Sequence, residues 1–273
     1  MISIDATAIH DSLDPGVAAR MDQLDVFAEI DSTNTYLLEQ PAPSAGMHRV
    51  VIADHQTAGR GRQDREWISA PGSGLCLSLA YTFAARPENL PGLTLAIGVA
   101  AVNALRQSGI DDVHLKWPND LVALDGKLGG MLAESQLRGN SDATVVAGIG
   151  INFDLPMQLI QHNASRWAQR AVDLNTLARR PPSREAVSGA LINNIVESLT
   201  VFEANGFSAF AAAWRQYDWL HGREITVEQA DSRISGTASG IDDEGALLLQ
   251  HGDSMSRVIS GSIVLNGAVG TAK

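Results

Sequence analysis

Residues 143–153, ATVVAGIGINF, are apolar or glycine at nearly every position. A strand with one face in water alternates apolar and polar side chains, so an unbroken run of this kind belongs in the middle of a sheet, covered on both sides. The rest of the chain must supply neighbouring strands and helices to cover them. At 273 residues it is long enough for one large core and a smaller second unit.

The pattern on either side supplies those partners. Leu24–Ile30 alternates as a strand, and Asp31 or Ser32 then offers an N-cap to a short helix carrying Tyr36, Leu37 and Leu38. Strands are predicted over 49–56, 74–83, 112–118 (ended by Pro118) and 127–137, with a helix over 89–109 that stops at Gly109. After Asp154 the character becomes helical. A long helix enters through Pro182 and Ser183 and ends at Asn205–Gly206, and a shorter one covers 207–220. Beyond Leu220 the period switches to two, with short strands over 223–229, 233–242, 245–252 and 257–265; so many short strands and turns predict a small barrel. Residues 1–20 show no clear periodicity and read as a loose leader. The expected division is a leader at 1–23, a main domain at 24–219 and a barrel at 220–273.

Charge narrows the partners. Twenty Lys and Arg against 31 Asp and Glu give a net charge of −11, which disfavours the broad basic surface that DNA binding needs. The only cysteine, Cys76, cannot form an internal disulfide. The N-terminus is acidic where a signal peptide would be basic, and no segment has membrane-spanning length. The expectation is a soluble, cytoplasmic protein without a membrane or DNA partner.

Against this acidic background, HQTAGRGRQDREW at 55–67 interleaves Gly59 and Gly61 with Arg60 and Arg62, and adds Arg65. Glycines let backbone amides approach an anion and arginines bring charge and donors, which suits a loop closing over phosphate or carboxylate. It is neither a P-loop nor a dinucleotide turn, since the Lys-Ser/Thr ending is absent and Asp64 stands at the third-glycine position. In KWPND (116–120), Lys116 could neutralise phosphate and Asn119 and Asp120 could bond a base or a metal, though Pro-Asn-Asp is also ordinary turn chemistry. KLGGMLAE (127–134) sets Lys127 before a glycine pair, a natural partner for charge developing on an oxyanion or phosphate. GIGIN (148–152) ends the central run with Asn152. Four polar sites at the ends of strands, three of them glycine-bearing, are expected to share one pocket. Lysine occurs only at 116, 127 and 273, which makes the two internal ones conspicuous. Cys76, inside an apolar strand, reads as a buried inert thiol, and Trp214 and Trp219 as core. Trp67 could stack on a base or anchor the loop. The seven histidines have no metal spacing, and no Ser-His-Asp arrangement or other nucleophile stands out.

DSTN at 31–34, HQTAGRGRQDREW, KWPND, KLGGMLAE and GIGIN stand in the order and approximate spacing of the biotin protein ligase family, which the chain resembles from about Leu24 to its end. The resemblance implies an α+β fold: a mixed sheet with flanking helices like the core of class II aminoacyl-tRNA synthetases, followed by an SH3-like β-barrel. It implies two steps with no covalent enzyme intermediate. Biotin is activated by ATP with Mg2+ to biotinyl-5'-AMP, and the biotinyl group passes to a lysine of a biotin carboxyl carrier domain, as in acetyl-CoA carboxylase. Lipoyl or octanoyl ligases of the same superfamily are the alternative, and a biotin-responsive transcriptional regulator a more distant one.

Carried over by the resemblance, Ser32, Thr33 and Gln56 line the biotin pocket, with Gly130 and Gly148 at its ring end. Gly59, Arg60, Gly61 and Arg62 close over the biotin carboxylate and α-phosphate, with Arg65 nearby. Lys127 and Arg62 act on the reacting atoms. Lys116 and Asp120 neighbour pyrophosphate or magnesium, and Trp67, Asn119 and Asn152 frame the adenine. No protein metal site is implied, and a homodimer is left open. Fewer than twenty-five residues precede Leu24, whereas members that also repress transcription carry a helix-turn-helix there, so a monofunctional enzyme is expected. Gln63–Asp64 departs from the Arg-Gly or Gln-Gly common after GRGR.

Overall fold

The computed structural model describes residues 4–85, 87, 90, 92–138, 142–156, 158, 159, 167 and 170–266. Its strands are β1 (Met21–Ile30), β2 (His48–Gln56), β3 (Gly74–Thr82), β4 (His114–Lys116), β5 (Asp120–Ala123), β6 (Gly126–Arg138), β7 (Asp142–Asn152), β8 (Glu224–Glu228), β9 (Arg233–Ile241), β10 (Leu247–His251), β11 (Ser254–Val258) and β12 (Ser262–Leu265). The helices are α1 (Ala6–Asp11), α2 (Pro15–Ala18), α3 (Thr33–Glu39), α4 (Leu93–Gln107), α5 (Leu174–Leu177), α6 (Arg184–Asn205) and α7 (Ser208–Tyr217).

The first seven strands form one sheet in the order β1-β2-β3-β7-β6-β5-β4. Only β1 and β2 run parallel; the other pairs are antiparallel, so the sheet is mixed as expected. The apolar run of 143–153 is β7, bonded to β3 on one side and β6 on the other. One sheet face packs Leu75, Leu77, Leu79, Ala147 and Ile149 against α4 and α6 in the main core. The other face carries α3, whose Leu37 meets Val51, Ala80 and Val146 in a separate small cluster. Ser183 caps α6 by accepting from the Ala186 amide at 3.1 Å, and Gly206 at φ +64° ends it, as the sequence indicates.

The last five strands form an antiparallel sheet in the order β11-β10-β9-β8-β12. Its apolar face, including Ile225, Val227, Leu247 and Leu249, is continuous with the main core. Trp117, 2 % exposed, donates from its indole to the Gly245 carbonyl at 3.1 Å and so pins this sheet to the KWPND turn.

Two expectations need correction, and one strand was not expected. Residues 4–18 are not a loose leader: Asp5 caps α1 through the Thr7 amide at 2.8 Å, and Ile9, Leu13 and Val17 are buried in the main core beside α6. DLVA at 120–123, for which the sequence pattern predicts no element, forms β5 and inserts between β4 and β6 after the turn at 117–119. The predicted single strand over 257–265 is broken by the turn at Ser260–Gly261 into β11 and β12, which lie on opposite edges of the second sheet. Most of the helical character expected just after Asp154 lies outside the described residues.

Candidate functional site

Alternation along β3 and β7 builds the floor of a cavity of about 760 Å3. Odd positions face the helices, while Cys76 and Ser78 of β3 and Gly148, Gly150 and Asn152 of β7 face the α3 side. Cys76 pairs with Gly150 and Ser78 with Gly148, so the floor is made of small residues laid side by side. The two glycines are required by close approach: a Cβ at Gly148 would strike the Asn34 side chain, and one at Gly150 the Trp67 indole. A volume of this size lies within the range of about 300–1,000 Å3 typical of small-molecule sites.

One end of the cavity is a neutral hydrogen-bonding cluster. Ser32 caps α3 by accepting from the Thr35 amide at 3.3 Å. The Thr33 amide donates to Gln56 Oε1 at 2.7 Å, and the Thr33 hydroxyl lies 2.9 Å from the same oxygen. Ser78 Oγ lies 2.7 Å from Thr33 Oγ1 and 2.6 Å from Asn34 Oδ1. Asn34 Nδ2 donates to Glu134 Oε2 at 2.8 Å and to the Leu132 carbonyl at 3.3 Å. Thr33, Asn34, Ser78 and Gln56 are all buried.

The other end is cationic. Asp120 accepts from Lys116 Nζ at 3.1 Å, from Lys127 Nζ at 2.9 Å and from the Trp167 indole at 2.8 Å. Burial alone would raise the Asp120 pKa, but Lys127 and Lys116 outweigh it and hold the carboxyl well below the usual range. Burial also lowers the Lys116 pKa, with Asp120 opposing. Lys116 is sealed in, its ammonium also 4.7 Å from the Trp167 ring centroid; Lys127 is more open, 5.5 Å from that of Trp67. Two lysines on one carboxylate leave a net positive charge facing the cavity. Arg62 adds to it: burial lowers its pKa, the Asp120 charge opposes this, and Arg65 reinforces it.

The glycine-arginine loop is a small hairpin over this end. Gly61 donates to the Arg65 carbonyl at 2.7 Å and Trp67 to that of Gly59 at 2.9 Å, and Gln63 and Asp64 turn the chain at φ +55° each. Consecutive left-handed residues are what a two-residue hairpin turn requires. Arg60 pairs with Glu134 at 2.7 Å, and Arg65 donates to Ser262 Oγ of β12 at 2.6 Å, so the second sheet forms part of the cavity wall.

The expected residues therefore converge. Ser32, Thr33, Gln56, Arg60, Gly61, Arg62, Arg65, Trp67, Lys116, Asn119, Asp120, Lys127, Gly130, Gly148 and Asn152 all line the cavity, and Gly59 lies at the base of its loop. Asn119 and Asn152 spend their amide groups on backbone: Asn119 donates to the Met131 carbonyl at 2.9 Å, and Asn152 to Lys127 and Val172 at 3.2 and 3.0 Å. Asn34, Ser78, Glu134, Trp167 and Ser262 were not assigned from sequence. Ser78 had a signal, a hydroxyl in the middle of the apolar run LCLSLA; Trp167 and Ser262 had none. Cys76 is buried, as expected, and desolvation pushes its thiol up to about 12. Trp214 and Trp219 are buried, as expected of core. No group of three His, Cys, Asp or Glu side chains that could hold a metal occurs among the described residues, and no described helix is long and apolar enough to cross a membrane.

Comparison with known proteins agrees with this geometry. Residues 26–152 match the biotin/lipoate A/B protein ligase family, and residues 220–266 match the biotin protein ligase C-terminal domain. The chain is 34 % identical over 267 residues to the bifunctional ligase/repressor BirA of Salmonella typhimurium, covering 97 % of this chain and 79 % of that protein. It is 32 % identical to the biotin--[acetyl-CoA-carboxylase] ligase of Mycobacterium tuberculosis, covering 96 % and 95 %. The structure of biotin protein ligase from Aquifex aeolicus in complex with biotin and ATP superposes with a TM-score of 0.73 at 27 % identity, covering 90 % of this chain and all of that one.

Proposed function

The chain belongs to the biotin protein ligase family, and from that premise we propose how its cleft joins biotin to ATP and then to protein. The enzyme is an ATP-dependent biotin ligase. A biotin carboxylate oxygen attacks the α-phosphorus, the bond to the β-phosphate oxygen breaks, and pyrophosphate leaves. A lysine amine of the carrier domain then attacks the carbonyl carbon of biotinyl-5'-AMP, loses its proton and expels AMP.

The observation that carries this reading is the joining of a neutral hydrogen-bonding end and a cationic end in one cavity. The ring of biotin, which has both donors and a carbonyl acceptor, suits Ser32, Thr33, Gln56 and the backbone beside Gly130 and Gly148. Its carboxylate then points toward Lys127 and the arginine loop. Bringing that carboxylate to a triphosphate opposes like charges, and fixed cations at the meeting point are the remedy. Lys127 keeps donors beyond its Asp120 bond, since an ammonium has three, and it would follow the charge on the α-phosphate oxygens into the transition state. Arg62, with Arg60 and the amides of Gly59 and Gly61, would hold the adenylate and exclude water. Arg65 and Trp67 would stand beside the nucleotide, with Asn119 and Asn152 framing its base.

Lys116 and Asp120 form a fixed counter-charge behind Lys127 and, in this reading, neighbour the departing pyrophosphate. With Asp120 already occupied by two lysines, the described residues offer no cage for magnesium. That ion would arrive on the triphosphate, as it does where it is held chiefly by phosphate oxygens, and screen its charge. The second sheet would close as an SH3-like barrel, and the main domain resembles class II synthetase cores. We place the reaction in the cytoplasm, with acetyl-CoA carboxylase's carrier domain as the partner, because relatives are named for that substrate. Titration calorimetry with biotin and with lipoate, followed by transfer to a purified carrier domain, tests the assignment. Binding of biotin but not lipoate is expected; preferential lipoate binding would overturn it.

A further inference from the structure

A chain of polar contacts around the neutral end runs from Gln56, which packs against the loop's base, to Arg60 of the loop. A Cβ at Gly59 would meet the Gln56 amide nitrogen at 2.8 Å, so that amide lies against the loop's base. The Thr33 amide donates to Gln56 Oε1; with one proton on each hydroxyl, a continuous chain then runs from Thr33 Oγ1 to Ser78 Oγ and from Ser78 to Asn34 Oδ1, and Asn34 donates to Glu134. Glu134 ends the chain on Arg60, the residue after Gly59.

Glu134 is the member that joins the pocket to the loop. One oxygen, Oε2, accepts both from Asn34 Nδ2 at 2.8 Å and from Arg60 at 2.7 Å. With its second N–H on the Leu132 carbonyl, Asn34 has no free donor, and its Oδ1 is fixed toward Ser78. Glu134, with the Leu132 carbonyl and Ser78, fixes which way the Asn34 amide faces, and so what Ser78 and Thr33 present to a ligand. The same oxygen holds the guanidinium that starts the cationic loop.

We infer that Glu134 is a positioning residue that couples Arg60 of the loop to the Asn34–Ser78–Thr33 end of the pocket. Glu134 does not itself line the cavity and acts through Asn34 and Arg60. Occupancy of the pocket is felt at the loop because one carboxylate oxygen is shared by both. The inference rests on the biotin reading of this pocket.

Its test is a double-mutant cycle on biotin affinity, measured by titration calorimetry. Arg60→Ala and Asn34→Ala are combined in the wild-type chain and again in a Glu134→Ala background. Coupling between side chains that share a partner is non-additive, whereas independent sites add. In the wild type the two substitutions are expected to deviate from additivity by about threefold or more; in Glu134→Ala they add within about twofold. Glu134→Ala itself should weaken biotin binding by about tenfold, since it leaves a buried amide donor unmet. Glu134→Gln is the second variant, guarding against misfolding: its amide oxygen can accept both bonds without the charge, so it should restore the coupling and bring affinity back within about threefold of wild type. Equal coupling with and without the carboxylate, or unchanged affinity in Glu134→Ala, would overturn the inference. Failure of the wild type to bind biotin would instead overturn the biotin reading.

Discussion

Asp120→Asn keeps the shape of the side chain but removes the charge that Lys116 and Lys127 share. Lys116 is 5 % exposed and takes its ion pair from Asp120, so the substitution strands an ammonium in the interior. Breaking a buried pair by removing one partner costs about 3–5 kcal/mol, and the lower end applies here because Lys127 still reaches water. For a chain of this size a loss of about 3 kcal/mol lowers the melting temperature by roughly 6–12 °C. The pH dependence has a definite sign. Burial already lowers the Lys116 pKa below its ordinary 10.5, and without Asp120 it falls further. The folded chain then prefers the neutral amine. Stability of the variant should therefore recover as pH rises from neutral toward 10.5, more steeply than in the wild type. Thermal melts followed by circular dichroism at pH 7 and pH 9.5 measure both effects. A melting temperature within about 2 °C of wild type at pH 7, with no recovery at pH 9.5, would refute the claim that Asp120 neutralises Lys116.

His48 is fully buried, neither ring nitrogen has a hydrogen-bond partner among the described residues, and burial, reinforced by Arg20, lowers its pKa from 6.5 to about 4. Above pH 6.5 the imidazole is neutral in both states; between 6.5 and 4 only the unfolded chain takes up the proton, so this residue removes about 3 kcal/mol of stability as pH falls. Urea unfolding should show that slope in the wild type and lose it in His48→Phe. Asp64 is exposed at φ +55° in the hairpin turn, so Asp64→Gly preserves the turn and removes a negative charge; release of biotinyl-AMP in stopped flow should slow by up to about tenfold at low salt and less at high salt. Arg62→Gly should let the adenylate escape and biotinylate a bystander protein such as serum albumin, and labelling equal to wild type would argue against containment by the loop.

The sheet was legible because it rests on local rules, whereas the neutral end of the pocket, Ser32, Thr33 and Gln56, was reached only through the family resemblance. The central strand announced itself by its lack of polar positions, and Gly148 and Gly150 by their place at its end. The docked N-terminal helices were missed although Ile9, Leu13 and Val17 recur at helical spacing, because two helices of six and four residues leave too short a period to read. Strand β5 is four residues long and owes its existence to neighbours on both sides, information that KWPND does not hold. Lys116 and Lys127 stood out by rarity, but their sharing of Asp120 is a matter of the fold: the β4–β5 register sets Lys116 opposite Asp120, while Lys127, opposite Val122, reaches it with its long side chain. Trp167 and Ser262 reach the cavity from segments distant in sequence, and no motif surrounds either.

Single-turnover formation of biotinyl-5'-AMP in Lys127→Ala, measured alongside biotin affinity, bears most directly on the claim that the cationic end acts on the reaction itself. The account predicts a fall in the rate of about a hundredfold or more, with the dissociation constant for biotin changed by less than about threefold. A rate within about threefold of wild type, or a loss explained wholly by weaker biotin binding, would contradict it.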